Sequence, residues 1–244
     1  MCPGCSTSSV ARTAPRPGCS PATPALPGDK HGSARPGSPG VVQRLGRATR
    51  GTPLAVAGSS RHPLGMVQLQ RVASADLPRA ELQAVRRLLD QAFEGRFTAD
   101  DWHHTLGGLH VLALEEREVV AHAAVVDRTL AAGGRPLQTG YVEGVASRRD
   151  RRRQGLATLV LRDADRIILE HYQLGALSDG TAIPGFYERL GWERWRGPTF
   201  VASTLGPVRT ADDDDSVMVL RTPATGDLDL AAPLVCDWRN GGVW

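Results

Sequence analysis

Apolar and polar positions change period several times beyond residue 65 of this chain, and each change marks an element. Residues 66–73 (M-V-Q-L-Q-R-V-A) alternate as a half-buried strand does. Asp76 then offers an N-cap oxygen and Pro78 sits in a first turn, after which Leu82, Val85, Leu88, Leu89 and Phe93 recur at helical spacing. Thr98-Ala99-Asp100-Asp101 has the form of a capping box, opening a short helix through Trp102, His103 and His104 that Gly107-Gly108 ends. Three β-rich runs follow, 109–114, 119–130 and 137–146, separated by stretches short enough for hairpins; they predict an antiparallel meander.

From Gly155 the period turns helical to about His171, with Leu156, Leu159, Val160, Ala164, Ile167 and Ile168 on the buried side. Residues 174–178 read as a short apolar strand, and a strand–helix–strand of this length predicts a parallel crossover. A helix over 183–190 closed by Gly191, then strands over 192–201 and 216–220, complete the pattern. The sum is one α+β domain over 66–244, with a mixed, mostly antiparallel sheet flanked by helices.

Composition separates residues 1–65 from that domain. They hold 10 of the 17 prolines, 10 of the 27 glycines and three of the four cysteines, but no Phe, Tyr or Trp. Lacking the bulky apolar groups that offset ordering entropy, they are expected to be disordered, with Met66 as an alternative start. Charge divides at the same place: eight basic groups face Asp29 alone before residue 66, leaving 21 basic against 25 acidic groups after it. An acidic body suits a cationic small molecule and argues against nucleic acid. No apolar run approaches the ~18 residues of a membrane span, and the N-terminus has no h-region, which makes the cytoplasm the default. Cys2, Cys5 and Cys19 lack partner ligands, Cys236 stands alone, and the histidines are scattered, so no metal site is expected.

The chemistry concentrates in Tyr141 to Leu161, Y-V-E-G-V-A-S-R-R-D-R-R-R-Q-G-L-A-T-L-V-L. A strand, a basic glycine-containing turn and a helix start together make a cradle for a phosphorylated ligand. Gly155 admits close backbone approach, while Arg152 and Arg153 add charge. Gly144 interrupts the strand, where a bulge or splay would free backbone groups of Val145, Ala146 and Ser147. Glu143 is an acid inside an apolar strand, placed by alternation on one face with Tyr141 and Val145.

Arg152-Arg153-Gln154-Gly155-Leu156-Ala157 fits R-x-x-G-x-A, and Phe186-Tyr187-Glu188-Arg189-Leu190-Gly191-Trp192 fits F-Y-x-x-x-G-[FW]. With this element order, the chain resembles the GCN5-related N-acetyltransferases. The resemblance implies acetyl-CoA as acetyl donor, its pyrophosphate on 152–157 and its pantetheine arm along Val145, Ala146 and Ser147. Glu143 is then the general base or an anchor for the acceptor ammonium, and Tyr187 the acid that protonates the thiolate. It further implies direct transfer without a covalent enzyme intermediate.

Five dispersed blocks narrow the likeness: F-E-G-R-F-T from Phe93, D-W-H-H-T-L-G-G from Asp101, G-Y-V-E-G-V from Gly140, Y-Q-L-G-A-L-S from Tyr172 and C-D-W-R-N-G-G-V-W from Cys236. They resemble the aminoglycoside 2'-N-acetyltransferases, which implies a polycationic aminoglycoside as acceptor and a homodimer. Asp212 and Asp213 of the run Asp212 to Asp215, with Trp244, Gly144 and Ser178, would line the acceptor site. Arg96 and Gly242 stand where that pattern has aspartates, which admits another amino sugar as acceptor. A non-catalytic acetyl-CoA sensor would use the same cradle, and a protein amine would need an open groove.

Overall fold

The computed structural model describes residues 67–181 and 183–244, so the readings of 1–65 as disordered and of Met66 as a start lie outside the described residues. β1 (Gln68–Ala73) leads into α1 (Arg79–Ala92), whose Val85, Leu88 and Leu89 are buried as the spacing predicts. Pro78, not Asp76, occupies the N-cap position; Asp76 closes a tight turn on the Ala73 carbonyl instead. Thr98 does form the capping box of α2 (Ala99–Thr105), exchanging bonds with Asp101. The meander is β2 (Leu109–Glu115), β3 (Glu118–Ala132) and β4 (Arg135–Ser147), each pair antiparallel.

α3 (Leu156–His171) then crosses over to β5 (Leu174–Ser178), which pairs parallel to β4. Residues 183–190 are not an α-helix. Pro184 and Gly185, the latter at φ +65°, leave too few residues before Gly191 to nucleate one, and a single 3₁₀ turn forms at Glu188–Leu190. The strand expected over 192–201 is two separate pieces, β6 (Glu193–Arg194) and β7 (Thr199–Val201), because Gly197-Pro198 breaks it. β8 (Val208–Arg209), β9 (Val217–Arg221) and β10 (Leu234–Cys236) complete a sheet ordered β6-β9-β5-β4-β3-β10-β7-β8, with β2 and then β1 flanking β3. β8 and β10 carry no readable period and escaped the sequence pattern.

Two faces of this sheet are covered differently. On one, Val111, Ala121, Ala123, Val125 and Val142 pack against Leu156, Val160, Leu161, Ala164 and Ile168 of α3. On the other, Leu112 and Ala146 meet Val85 and Leu89 of α1, while Tyr141, Val126 and Leu130 are covered by Leu228, Leu230 and Trp244. The expected interruption at Gly144 is a bulge: Glu143 pairs with Ala124 and Ala146 with His122, so Ala123 alone faces both Gly144 and Val145. That extra residue inverts the alternation. Glu143 keeps the face of Tyr141, whereas Val145 turns to the α3 face, which corrects the reading that put all three together.

Candidate active site

Of the basic run ahead of α3, the structure leaves two members uncommitted. Arg148 pairs with Glu118 and Asp150, Arg149 with Glu94, and Arg151 with Glu115. Arg152 reaches only the Ala92 carbonyl, and Arg153 has no ion pair among the described residues. Both are exposed, as are Gln154 and Gly155. Arg153 and Gly155 adopt left-handed backbone at φ +60° and +82°, which turns the chain abruptly into α3. The N-cap, Gly155, has no side chain to satisfy the first-turn amides, and that turn holds no acidic residue. The amides of Leu156 and Ala157 therefore present the positive end of a 16-residue helix without internal compensation. Leu156 itself is core, so only its backbone can serve a ligand.

Beside this cradle the sheet opens. β5 pairs with β4 only from Thr139 to Tyr141; its Leu177 and Ser178 pair with β9 alone. Val142 to Ser147 thus face a gap on the β5 side, and Val145, Ala146 and Ser147 offer it backbone groups of the kind an amide-rich arm can pair with. Glu143 stands on the α1–α2 face of β4 and Tyr187 packs on the α3 face, among Phe186, Trp192 and the α3 core. The sheet stands between the two side chains. Burial, reinforced by Asp179, raises the Tyr187 phenol well above its ordinary value, so its proton stays on through the neutral range.

Around Glu143 the chain folds back on itself. Arg239 donates to Glu143 Oε1 with both side chains mostly buried, and its Nε holds the Gly242 carbonyl at 2.9 Å. His104 of α2 contacts the Asn240 carbonyl at 2.7 Å. Arg128, 3% exposed in its side chain, binds Asp237 and the carbonyls of Asp237 and Val243, and its guanidinium lies over Tyr141. These contacts seat Trp244 in the core, where its indole N–H donates to Thr210 Oγ1 at 2.9 Å. Trp244 is consequently a buried anchor and its ring is no open platform for a ligand.

The same bond ties the chain end to the acidic loop. Asp212 is exposed, while Asp213 is half-buried, and burial with the nearby Asp212 and Asp214 holds its carboxyl above the usual range. Asp214 is spoken for: Arg209 grips it and depresses its pKa, and its oxygen caps the Thr199 amide. Ser178 lies exposed at the end of β5, opposite Val217 and next to that loop. Arg239, Arg128 and His104 were not singled out from the sequence, since their partners lie about a hundred residues away. His110 and His122, scattered along the sequence, come close because β2 and β3 pair antiparallel, His110 opposite Ala124 and His122 opposite Leu112. Among the described residues no cluster of three or more His, Cys, Asp or Glu could hold a metal, and no helix is long and apolar enough to cross a membrane.

Comparison with known proteins agrees with this geometry. Residues 75–195 match the acetyltransferase (GNAT) domain family. An aminoglycoside 2'-N-acetyltransferase from Mycolicibacterium fortuitum is 43% identical over 175 residues, covering 71% of this chain and 90% of that protein. Among solved structures, a GNAT family N-acetyltransferase from Escherichia coli in complex with CoA superposes with a TM-score of 0.52 at 17% identity, over 71% of this chain and 89% of its own, a likeness of fold. With its splayed parallel pair, its uncapped α3 and this kinship, the chain belongs to the GNAT acetyltransferase family.

Proposed function

We propose that the protein transfers an acetyl group from acetyl-CoA to the 2'-amine of an aminoglycoside, a reaction that would confer resistance to such compounds. The acceptor class rests on one observation, the 43% identity across 90% of a relative of that name. Acetyl-CoA, when bound, supplies the acetyl group as a thioester. Arg152, Arg153 and the amides of Gln154, Gly155, Leu156 and Ala157 would hold its pyrophosphate, and the backbone of Val145, Ala146 and Ser147 its pantetheine arm. Asp212, Asp213 and Glu143 draw a polycation to the opposite face, with Gly144 and Ser178 on its margin.

Because Arg239 occupies Glu143 Oε1, Oε2 is the atom that takes the proton from the acceptor ammonium, directly or through water. Tyr187, still protonated, donates to the departing sulfur. Transfer is direct: Cys236 is buried, bonded to the Val243 carbonyl and pushed up to about 11, which disqualifies it as a nucleophile. We place the reaction in the cytoplasm. Arg96, exposed between α1 and α2, and Gly242, in the returning segment, stand where the aminoglycoside pattern has aspartates and admit a second acceptor class, another amino sugar. The sensor reading is disfavoured because the chain carries both Glu143 and Tyr187, a base and an acid that a binding module does not need.

The test is thiol release from acetyl-CoA in the presence of matched amines. Release with a 2'-amino aminoglycoside and none with its 2'-hydroxy counterpart supports the proposal. Release with neither, but with a simpler amino sugar, would move the protein to the second class.

A further inference from the structure

A buried polar chain runs beneath β2 and β3 to the bulge and has no part in the chemistry above. Ser74 Oγ lies 2.8 Å from His110 Nε2, His110 Nδ1 lies 2.9 Å from His122 Nε2, and His122 Nδ1 lies 2.7 Å from the Gly144 carbonyl oxygen. Both rings are fully buried. Burial lowers His110 to about 4 and His122 to about 3, so both are neutral at physiological pH.

The last acceptor then decides every hydrogen. A carbonyl oxygen only accepts, so His122 carries its hydrogen on Nδ1. Its Nε2 is left as an acceptor, which requires His110 to donate from Nδ1 and to accept at Nε2 from the Ser74 hydroxyl. Ser74 oxygen in turn accepts the Gly107 amide at 2.9 Å. Remove any member and a buried ring nitrogen loses its partner, which is why one histidine would not suffice.

The chain ends at the residue that bends the catalytic strand. Gly144 has φ +59°, and a Cβ there would stand 3.1 Å from Thr105 Cγ2 and 3.4 Å from His122 Nδ1. With Ala123 facing both Gly144 and Val145, the regular register is broken at this peptide, and His122 holds its carbonyl. In a trans peptide the C=O and the following N–H point in opposite directions. Holding the Gly144 oxygen on the His122 side therefore aims the Val145 N–H toward the side where Val145, α3 and Tyr187 pack.

We propose that Ser74, His110 and His122 form a relay of fixed tautomers whose task is positioning: it sets the Gly144–Val145 peptide plane, and with it the angles at which Glu143 and the Val145 N–H face the reacting groups. The kinetic part of this proposal rests on the acetyl-transfer reading; the tautomers do not.

Two measurements on the full chain test it. Nitrogen-15 NMR of the wild-type protein reads the tautomers: Nδ1–H on both rings upholds the relay, and Nε2–H on either overturns it, whatever amine is acetylated. For the role in catalysis, His122→Leu removes the donor, whereas His122→Asn restores an N–H near the Nδ1 position. His122→Leu is expected to lower kcat by about 10- to 100-fold, a larger change than any rise in the KM for acetyl-CoA, as misplacement of a reacting group does. His122→Asn should recover most of that loss. Full kcat in the leucine variant, or a loss that asparagine does not recover, overturns the positioning role. If the leucine variant fails to fold, the asparagine variant and the tautomers carry the decision. A wild-type protein that acetylates no amine fails the proposed function, and the NMR result still decides the relay.

Discussion

The proposed cradle at the start of α3 and the proposed acceptor face around Glu143 follow one another along the chain, yet they are built from different material. The cradle uses six consecutive residues, 152–157, in which backbone amides and two uncommitted arginines face outward. The proposed acceptor face draws on Glu143 from β4, His104 from α2, Arg128 from β3, Asp212 and Asp213 from a 3₁₀ turn, and the returning segment 237–244. A site of backbone groups depends on local conformation. A site of converging side chains depends on whatever brings them together, and here that is Arg128, an almost wholly buried guanidinium bonded to both ends of the returning segment. Donor and acceptor binding should therefore separate under mutation.

The largest effect is expected at the point where both halves meet. Glu143→Gln should lower kcat by about 10³-fold and flatten its rise with pH, while calorimetry finds acetyl-CoA binding unchanged. A variant with normal turnover would move the base elsewhere. Next, Arg128→Met should cost about 2 kcal/mol of stability, because it removes the hydrogen bonds of a buried guanidinium to two part-buried carbonyls and to the half-exposed Asp237. Thermal melts would show the loss, and the acceptor KM should rise without a matching rise for acetyl-CoA; an equal rise in both would erase the distinction between the halves. Tyr187→Phe should reduce kcat by about 10²-fold and leave the acetyl-CoA KM nearly as it was. The reverse split would make the ring a packing residue only.

Smaller effects sharpen the picture. Arg152→Ala should raise the acetyl-CoA KM about tenfold, the worth of one charge-assisted hydrogen bond, with acceptor KM unaffected. Asp165 serves as a control on the donor side of the sheet. Its carboxyl accepts from the Trp192 indole N–H, while Oδ2 is buried without a hydrogen bond and has Arg162 only at 3.7 Å; burial pushes the group up to about 6 against the lowering effect of both neighbours. The folded state thus binds that proton more tightly than the unfolded chain, whose carboxyl titrates near about 4. Ionisation costs stability progressively as pH rises from the lower to the higher value, and the cost is complete above it. Asp165→Asn should consequently add about 1 kcal/mol at neutral pH and nothing in acid, as read by urea titration at both, with neither KM changed.

Much of this architecture was legible because it is local. The capping box at Thr98, the alternation through β2, β3 and β4, and the helical period after Gly155 each reflect neighbours within a few residues. The bulge at Gly144 was legible too, since a glycine inside a strand announces one. Its consequence was not: simple alternation keeps Val145 beside Glu143, and only the pairing with Ala123 shows the faces exchanged. Residues 183–190 misled for the opposite reason, an apolar spacing that suits a helix over a length that Pro184 and Gly185 make too short.

The sequence by itself determined the class of fold, the basic turn before α3, the acid in the middle of β4 and the excess of carboxylates in the body, because each is a property of residue types and short spacings. Only the tertiary structure decided which two of the five arginines in the basic run have no ion pair among the described residues, which oxygen of Glu143 Arg239 occupies, that Trp244 is an anchor, and that two scattered histidines join into one buried chain. Those outcomes depend on ion pairs and hydrogen bonds between residues about thirty to a hundred positions apart, or on single contacts such as His110 with His122 that require the strands to be in register. Their cost or benefit is set by burial, and burial is a property of the folded chain.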